Sequence, residues 1–225
     1  MSSNFIKKKI KVAYLLDNTN NWILSYLKTS KLLNENNKYN SKIFTNYKKI
    51  INYDVVFILN YTKILKRNFL KKNKLSLVVH SSDLPKGKGF APIQWQILEG
   101  KNKIYISLFE AVEKYDSGRI FEKDYVLLKG TELYDEIRYR QAKSTIKIIK
   151  KFLKKYPNIK SKKQVGKSTF YRRRYKIDSK LNINSSIKNL FNQLRIANNK
   201  KWPSFFYFKN KKFIIKIFKA NGKNS

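Results

Sequence analysis

Short apolar runs alternate along this chain with stretches of helical spacing. "KIKVAYLLD" (9–17) reads as an opening strand, and Asp17-Asn18 then begins a loop. In "NNWILSYLKTSKLL" (20–33), Trp22, Ile23, Tyr26, Leu27 and Leu33 fall at helical spacing. "SKIFT" (41–45) is a short strand, and "DVVFIL" (54–59) has the uninterrupted apolar pattern of a strand covered on both faces. "YTKILKRNFLKK" (61–72) predicts a short helix, and "LSLVV" (75–79) a buried strand that ends at His80.

The alternation then continues. "PIQWQILEG" (92–100) reads as a helix opened by proline and closed by Gly100. "IYISLFEAV" (104–112) is a strand, "YDSG" (115–118) a turn and "RIFEKDYVLL" (119–128) a return strand. Residues 131–156 form the longest predicted helix, acidic in its first turns and basic near its end, stopped by Pro157. The polar stretch 158–180 reads as a loop, 185–197 as an amphipathic helix, and 203–218 as two strands about a Lys-Asn-Lys-Lys turn. Strands and helices alternating at these lengths predict an α/β fold, a Rossmann-like doubly wound and mostly parallel sheet with a small C-terminal helix-plus-hairpin extension. The expected divisions are a catalytic domain over 1–157, an extension completing the substrate site over 158–218, and a disordered tail over 219–225. Ligands of such sheets bind outside the carboxyl ends of the strands, which is where Asn60 and His80 fall.

Composition narrows the chemistry. With no cysteine and one histidine among 225 residues, the chain offers little for a metal site, and none is expected. No apolar segment approaches the roughly 20 residues of a membrane span and the N-terminal run is too short for a secretory signal, so a cytoplasmic protein without a membrane partner is expected. The formal net charge of +37 suggests nucleic acid or an anionic membrane surface. Lysine is nevertheless spread along the whole chain beside heavy asparagine and isoleucine, the signature of A/T-rich coding drift, and no basic helix or aromatic-basic platform argues for nucleic acid. In either case anionic substrates are attracted, less so as salt rises. Ten of the fourteen acidic residues lie between 83 and 136, in the region that begins beside His80.

His80 ends a strand and precedes "LPKGKG", a backbone-rich loop able to approach a ligand closely. Asp116 occupies a second strand-to-turn position. A histidine with a carboxylate partner suits general-base work near neutral pH, although a lone histidine is more often structural and an Asp in such a turn can simply cap it.

"VVHSSDLPKGKGFAPIQWQILEG" followed by "ISLFEAVEKYDSGRIF" resembles the formyltransferase family, with its Asn-x-His, Leu-Pro and Gly, (Ala/Ser)-Pro-x-x-Trp and Asp-x-Gly pattern. The resemblance runs over about 9–218 and is strongest at 77–136. It implies transfer of a formyl group from 10-formyltetrahydrofolate, the folate co-substrate, to an amine through a tetrahedral intermediate. His80 would take the proton of the attacking amine, while Asp116 would orient His80 and assist proton delivery to the leaving nitrogen. Where the family carries Asn two residues before the histidine, this chain has Val78, which has no donor. Asn60 is the expected substitute, with protonated His80 or a loop N–H as alternatives. The loop holding Tyr61, Thr62 and Ile64, and the turn holding Glu110, Val112 and Asp116, match the places where the family grips the folate.

"TFYRRRYKIDSKLNINSSIKNLFNQLRIANNKKWPSFFYF" resembles the end of the catalytic domain in formyltransferases acting on nucleotide-linked amino sugars, through Asp178, Arg195, Pro203 and Phe205. That implies a sugar acceptor, a UDP-4-amino-4,6-dideoxy-N-acetylhexosamine of altrosamine type as in pseudaminic-acid pathways. Lys86, Lys88 and Arg172, Arg173 and Arg174 are candidates for the diphosphate, Tyr171, Tyr175 or Phe206 for the uracil, Phe90 for a wall of the amine pocket and Arg195 for a substrate contact. The alternatives are a methionyl-tRNA formyltransferase-like enzyme, against which the chain's shortness speaks, and a noncatalytic basic RNA- or anion-binding protein on the same fold. "FFYFKNKKFIIKIF" either offers an edge for a homodimer or completes the core.

Overall fold

The structure, a computed structural model, describes residues 9–33, 38–63 and 65–220. Six strands form the main sheet in the order β2-β1-β3-β4-β6-β7. They are β1 (Ile10–Leu15), β2 (Tyr39–Phe44), β3 (Val55–Leu59), β4 (Ser76–His80), β6 (Lys103–Glu110) and β7 (Ile120–Leu127). The first four are parallel, whereas β6 runs antiparallel to both β4 and β7.

Side chains sort by the two-residue period of the strands. Val12 and Tyr14 of β1 and Val55, Phe57 and Leu59 of β3 pack with Leu27 of α1 (Leu24–Thr29) and with Ile149, Phe152 and Leu153 of α4 (Tyr134–Lys155). Ala13, Leu15, Val56 and Ile58 face the other way, against Ile50 and Phe69 of α2 (Arg67–Lys71). Burial on both faces explains the unbroken apolar runs of these strands. A third cluster joins Ile93 and Ile97 of α3 (Pro92–Leu98) to Ile104, Ile106 and Val126, with Ile196 after α5 (Ile187–Arg195).

Two helices are shorter than their periodicity predicts. Before α1 the Asn18 side chain accepts from Asn20 N and that of Asn21 from Ile23 N, local bonds that compete with helix formation. Before α2, Asn60 takes a φ of 50° and Thr62 N donates to Asp17 Oδ1 at 2.9 Å, so no helix opens at Tyr61 and α2 starts at Arg67.

The stretch expected as a featureless loop, 158–180, is ordered against the sheet. Ile120 and Lys162 form a bridge, a 3-10 turn covers 176–179, and β8 (Phe170–Tyr171) pairs in parallel with β5 (Lys88–Gly89) of the glycine loop. The C-terminal strands β9 (Ser204–Phe208) and β10 (Lys211–Ile215) form a separate hairpin whose Phe208 and Ile214 are exposed. Of the expected tail, 221–225 lies outside the described residues, and Lys219 Nζ pairs with Glu136 Oε1 at 2.6 Å. Among the described residues no helix is long and apolar enough to cross a membrane, and no group of three or more potential metal ligands gathers.

Candidate active site

Parallel strands β3 and β4 deliver Asn60 and His80 to the same end of the sheet, beside a cleft of about 520 Å³. Ile58, Val78 and Val79 contribute apolar lining, and Asn60, Tyr61, Thr62, His80, Phe90, Asp116, Arg173 and Arg174 line it as well. A hollow of about 690 Å³ at the opposite end of these strands is lined by Lys9, Lys11, Lys74 and neighbours, and holds neither His80 nor Asp116. Chemistry, not size, places the site.

His80 is 8% exposed, and its Nε2 lies 2.8 Å from the Gly87 carbonyl. A carbonyl only accepts, so Nε2 carries a proton and the neutral ring keeps its lone pair on Nδ1. Phe109 packs edge-on against the ring at 6.4 Å between centroids. Asp116 Oδ2 is 4.0 Å from His80 Nε2 and accepts the Gly89 N–H at 2.8 Å. The imidazole is therefore oriented by Gly87, and Asp116 faces it as a nearby charge, in place of the direct orienting contact expected from sequence.

Asp116 reaches this position by a detour. Because β6 is antiparallel, Glu110 at its end is registered with Leu77, at the far end of β4 from His80. The 111–119 connection turns back, with Asp116 at a φ of 44°. Gly118 permits the close turn, since a Cβ there would lie 1.9 Å from the Glu110 carbonyl oxygen. Gln164 Nε2 ties the turn down, donating to the Asp116 and Gly118 carbonyls at 2.9 Å each.

The extension holds the glycine loop from the other side. Gly87 N donates to Thr169 Oγ1 at 2.8 Å and Phe90 N to Tyr171 O at 3.0 Å. Gly89, at a φ of 93°, meets Tyr171 so closely that a Cβ would stand 2.3 Å from its carbonyl oxygen. Arg173 lies over the Phe90 ring at 4.4 Å, and Arg172 and Arg174 flank Trp95 at 4.8 and 5.5 Å.

Several expected contacts sit elsewhere. Lys86 is exposed and outside the cleft lining; half-buried Glu110 and exposed Val112 also lie outside it, carried off by the antiparallel course of β6. Ile64 lies outside the described residues. Lys88 is buried, its Nζ 3.3 Å from Ser117 Oγ; Tyr171 stacks on Trp95, and Phe206 stacks on Phe213 within the hairpin. Arg195 is 1% exposed and absent from the cleft lining, donating to Asn192 Oδ1 at 2.8 Å and Asn102 Oδ1 at 3.0 Å. It fastens α5 to the start of β6. Burial pulls its pKa below the ordinary arginine value, with the Glu132 charge opposing.

The sequence reading missed Trp22, Arg138, Gln141 and Trp202, all of which line the cleft. Arg138 Nη1 donates to Gln141 Oε1 at 2.7 Å, and Gln141 Nε2 donates to Ser81 Oγ at 2.7 Å, a buried polar chain ending beside His80. The available signal was the i, i+3 spacing of Arg138 and Gln141 on the buried face of α4.

A histidine facing a carboxylate at the strand ends of a doubly wound sheet has the chemistry of a candidate acid-base site. The chain belongs to the formyl transferase family, whose model matches residues 5–153. It is 30% identical over 174 residues to a methionyl-tRNA formyltransferase of Sulfurihydrogenibium sp., covering 75% of this chain and 55% of that protein. The chain thus spans about half the length of that curated relative. Among solved structures, one titled methionyl-tRNA formyltransferase from Clostridium thermocellum superposes with a TM-score of 0.81 at 24% identity, covering 95% of each chain. A 4-N formyltransferase from Francisella tularensis gives 0.74 at 16% identity, over 92% of this chain and 97% of that one. HypX from Aquifex aeolicus in complex with tetrahydrofolic acid gives 0.75 at 12% identity, over 93% of this chain and 38% of that one. These likenesses show the fold.

Proposed function

We propose that the protein is an N-formyltransferase that moves a formyl group from 10-formyltetrahydrofolate to the amino group of a nucleotide-linked amino sugar, a UDP-4-amino-4,6-dideoxy-N-acetylhexosamine of altrosamine type. Family membership supports the reaction. The observation that supports an anionic acceptor is the charge of the cleft: among the described residues Arg138, Arg173 and Arg174 line it against a single carboxylate, Asp116. A cleft so charged draws an anionic substrate.

The cleft fits a folate in kind, with the apolar surface of Ile58, Val78 and Val79 for a flat ring and the loop at Asn60 to Thr62 for its polar edge. When bound, that group supplies the activated formyl. His80, through Nδ1, accepts the proton of the incoming amine, Asp116 stabilises the charge that the ring then carries, and the proton is passed on to the nitrogen from which the formyl group departs. Asn60 lines the cleft where Val78 offers no donor, and its amide takes over stabilisation of the developing oxyanion.

The test is a mass-spectrometric assay with purified protein, 10-formyltetrahydrofolate and a panel of UDP- and dTDP-linked 3- and 4-amino sugars, with methionyl-tRNA as rival acceptor. Addition of one formyl group to a UDP-linked 4-amino sugar is expected. Formylation of the tRNA alone would replace the acceptor class, and silence on every acceptor would turn the reading toward an anion-binding protein.

A further inference from the structure

Beside the cleft lies a second hollow of about 270 Å³, and Trp22, Arg138 and Arg174 line both. No Asp or Glu lines this hollow among the described residues. Arg138 is clamped between the Trp22 and Tyr134 rings, at 4.8 and 5.1 Å, and its partners are neutral: Gln141 at 2.7 Å and, with its amide turned to present oxygen, Gln94 at 2.6 Å. Arg172 occupies the Asp178 carboxylate, leaving Arg174 only the Asp178 main-chain oxygen at 3.1 Å. Arg138 Nε, Arg174 Nη1 and Trp22 Nε1 are buried donors without an acceptor.

Half-buried charges are ordinarily paired, and orphaned buried donors ask for a reason. Arg174 feels the Asp178 charge, which Arg172 already pairs, and no carboxylate lines the hollow itself among the described residues. Burial pulls Arg174 below the ordinary arginine pKa, and against burial, which raises it, the Arg138 charge together with hydrogen bonds to Asn198 and Arg138 holds the Tyr134 phenol below its ordinary value. The protein supplies the cations, and the anion is left to a ligand. Tyr175 and Trp202 also line the hollow, offering ring faces to a planar group.

We infer that this second hollow holds the diphosphate of the acceptor's nucleotide, with Arg138 and Arg174 as its cations and the Trp22 indole as a further donor. The assignment rests on the acceptor reading above; of the residues expected at the diphosphate it keeps Arg174, and it puts Arg138 in place of the exposed Lys86. Arg138 also begins the Gln141–Ser81 chain to His80, so the residue that grips the anion helps to set the residue next to the base.

Calorimetric binding of UDP and of inorganic pyrophosphate to the folate-free protein tests this directly, before any turnover. The expected result is binding of both, weakened roughly tenfold or more by Arg174→Gln and by Arg138→Gln, the scale of a charge-assisted contact. Trp22→Phe keeps the ring over Arg138 and removes only the donor, so it serves if the arginine variants fail to fold, and it too should weaken both ligands. In turnover, Arg174→Gln should raise KM for the nucleotide sugar with kcat kept, while Arg138→Gln should raise KM and lower kcat. Undiminished UDP and pyrophosphate affinity in the variants, or no binding by the wild type at millimolar ligand, overturns the inference even if an amino sugar is formylated. UDP binding lost in the variants, with no sugar formylated, upholds it and removes the acceptor reading instead.

Discussion

His80 Nε2 and Asp116 Oδ2 face each other at 4.0 Å without a hydrogen bond, each held by a glycine of the same loop: Nε2 by the Gly87 carbonyl and Oδ2 by the Gly89 N–H, both at 2.8 Å. The loop between them fixes the imidazole and the carboxylate together. His80→Asn and Asp116→Asn should each lower kcat by about 10²–10⁴-fold, the range of a lost acid-base group, while circular dichroism and melting temperature stay close to wild type. Full activity in either variant would remove that residue from the mechanism.

Asn60 has a φ of 50°, so alanine there adds backbone strain to the loss of the amide. Asn60→Gly separates the two effects. Loss of an oxyanion donor should cost about 10²–10³-fold in kcat with the fold kept. A loss of only a few-fold would return the oxyanion to a loop N–H or to protonated His80.

Gly89→Ala tests the contact between catalytic loop and extension, since its Cβ would stand 2.3 Å from Tyr171 O at a φ of 93°. Strain of this kind costs about 1–3 kcal/mol. The melting temperature should fall, and residues 169–171 should gain hydrogen exchange together with 87–90.

Arg195→Met should behave as a stability variant. It leaves Asn102 and Asn192 without their buried donor, at a cost of about 1–3 kcal/mol, with KM for the acceptor near wild type. A rise in KM at unchanged stability would restore Arg195 to the substrate site.

The Arg172 fork on Asp178 holds its carboxyl below the usual range, with burial opposing and the Tyr175 N–H assisting. A carboxylate depressed in the fold stabilises it above the unfolded pKa, about 3.9, and that contribution disappears as pH falls through the lower folded value. Asp178→Asn should therefore melt below wild type at neutral pH, the gap closing only once pH drops beneath about 4. Paired melting curves across that range decide it; a gap independent of pH would assign the loss to shape alone.

Much of this was legible in the residues. β3, and β1 from Val12 onward, read correctly because strands buried on both faces are apolar at every position, and His80 was placed by the strand that ends at it. The site was less legible where it depends on direction. Apolar alternation does not encode whether a strand runs parallel, so the antiparallel β6 carried Glu110 and Val112 away from the cleft and left Asp116 to return through Gly118. Arg195 and Arg138 show the same limit from the other side: both are arginines on amphipathic helices, and only packing tells the one that bonds Asn102 from the one that lines the cleft. The order within 158–180 escaped periodicity because a two-residue strand is too short to have one.

The pairing of β5 with β8 sets a rule for how this scaffold can diversify. Gly87, Lys88 and Phe90 bond to residues 169–171, and the arginines at 172–174 follow directly in the chain. A chimera that imports residues 158–180 from a relative with another acceptor therefore imports the mould in which the catalytic loop is cast. The two segments should be inherited, and must be engineered, as one cassette.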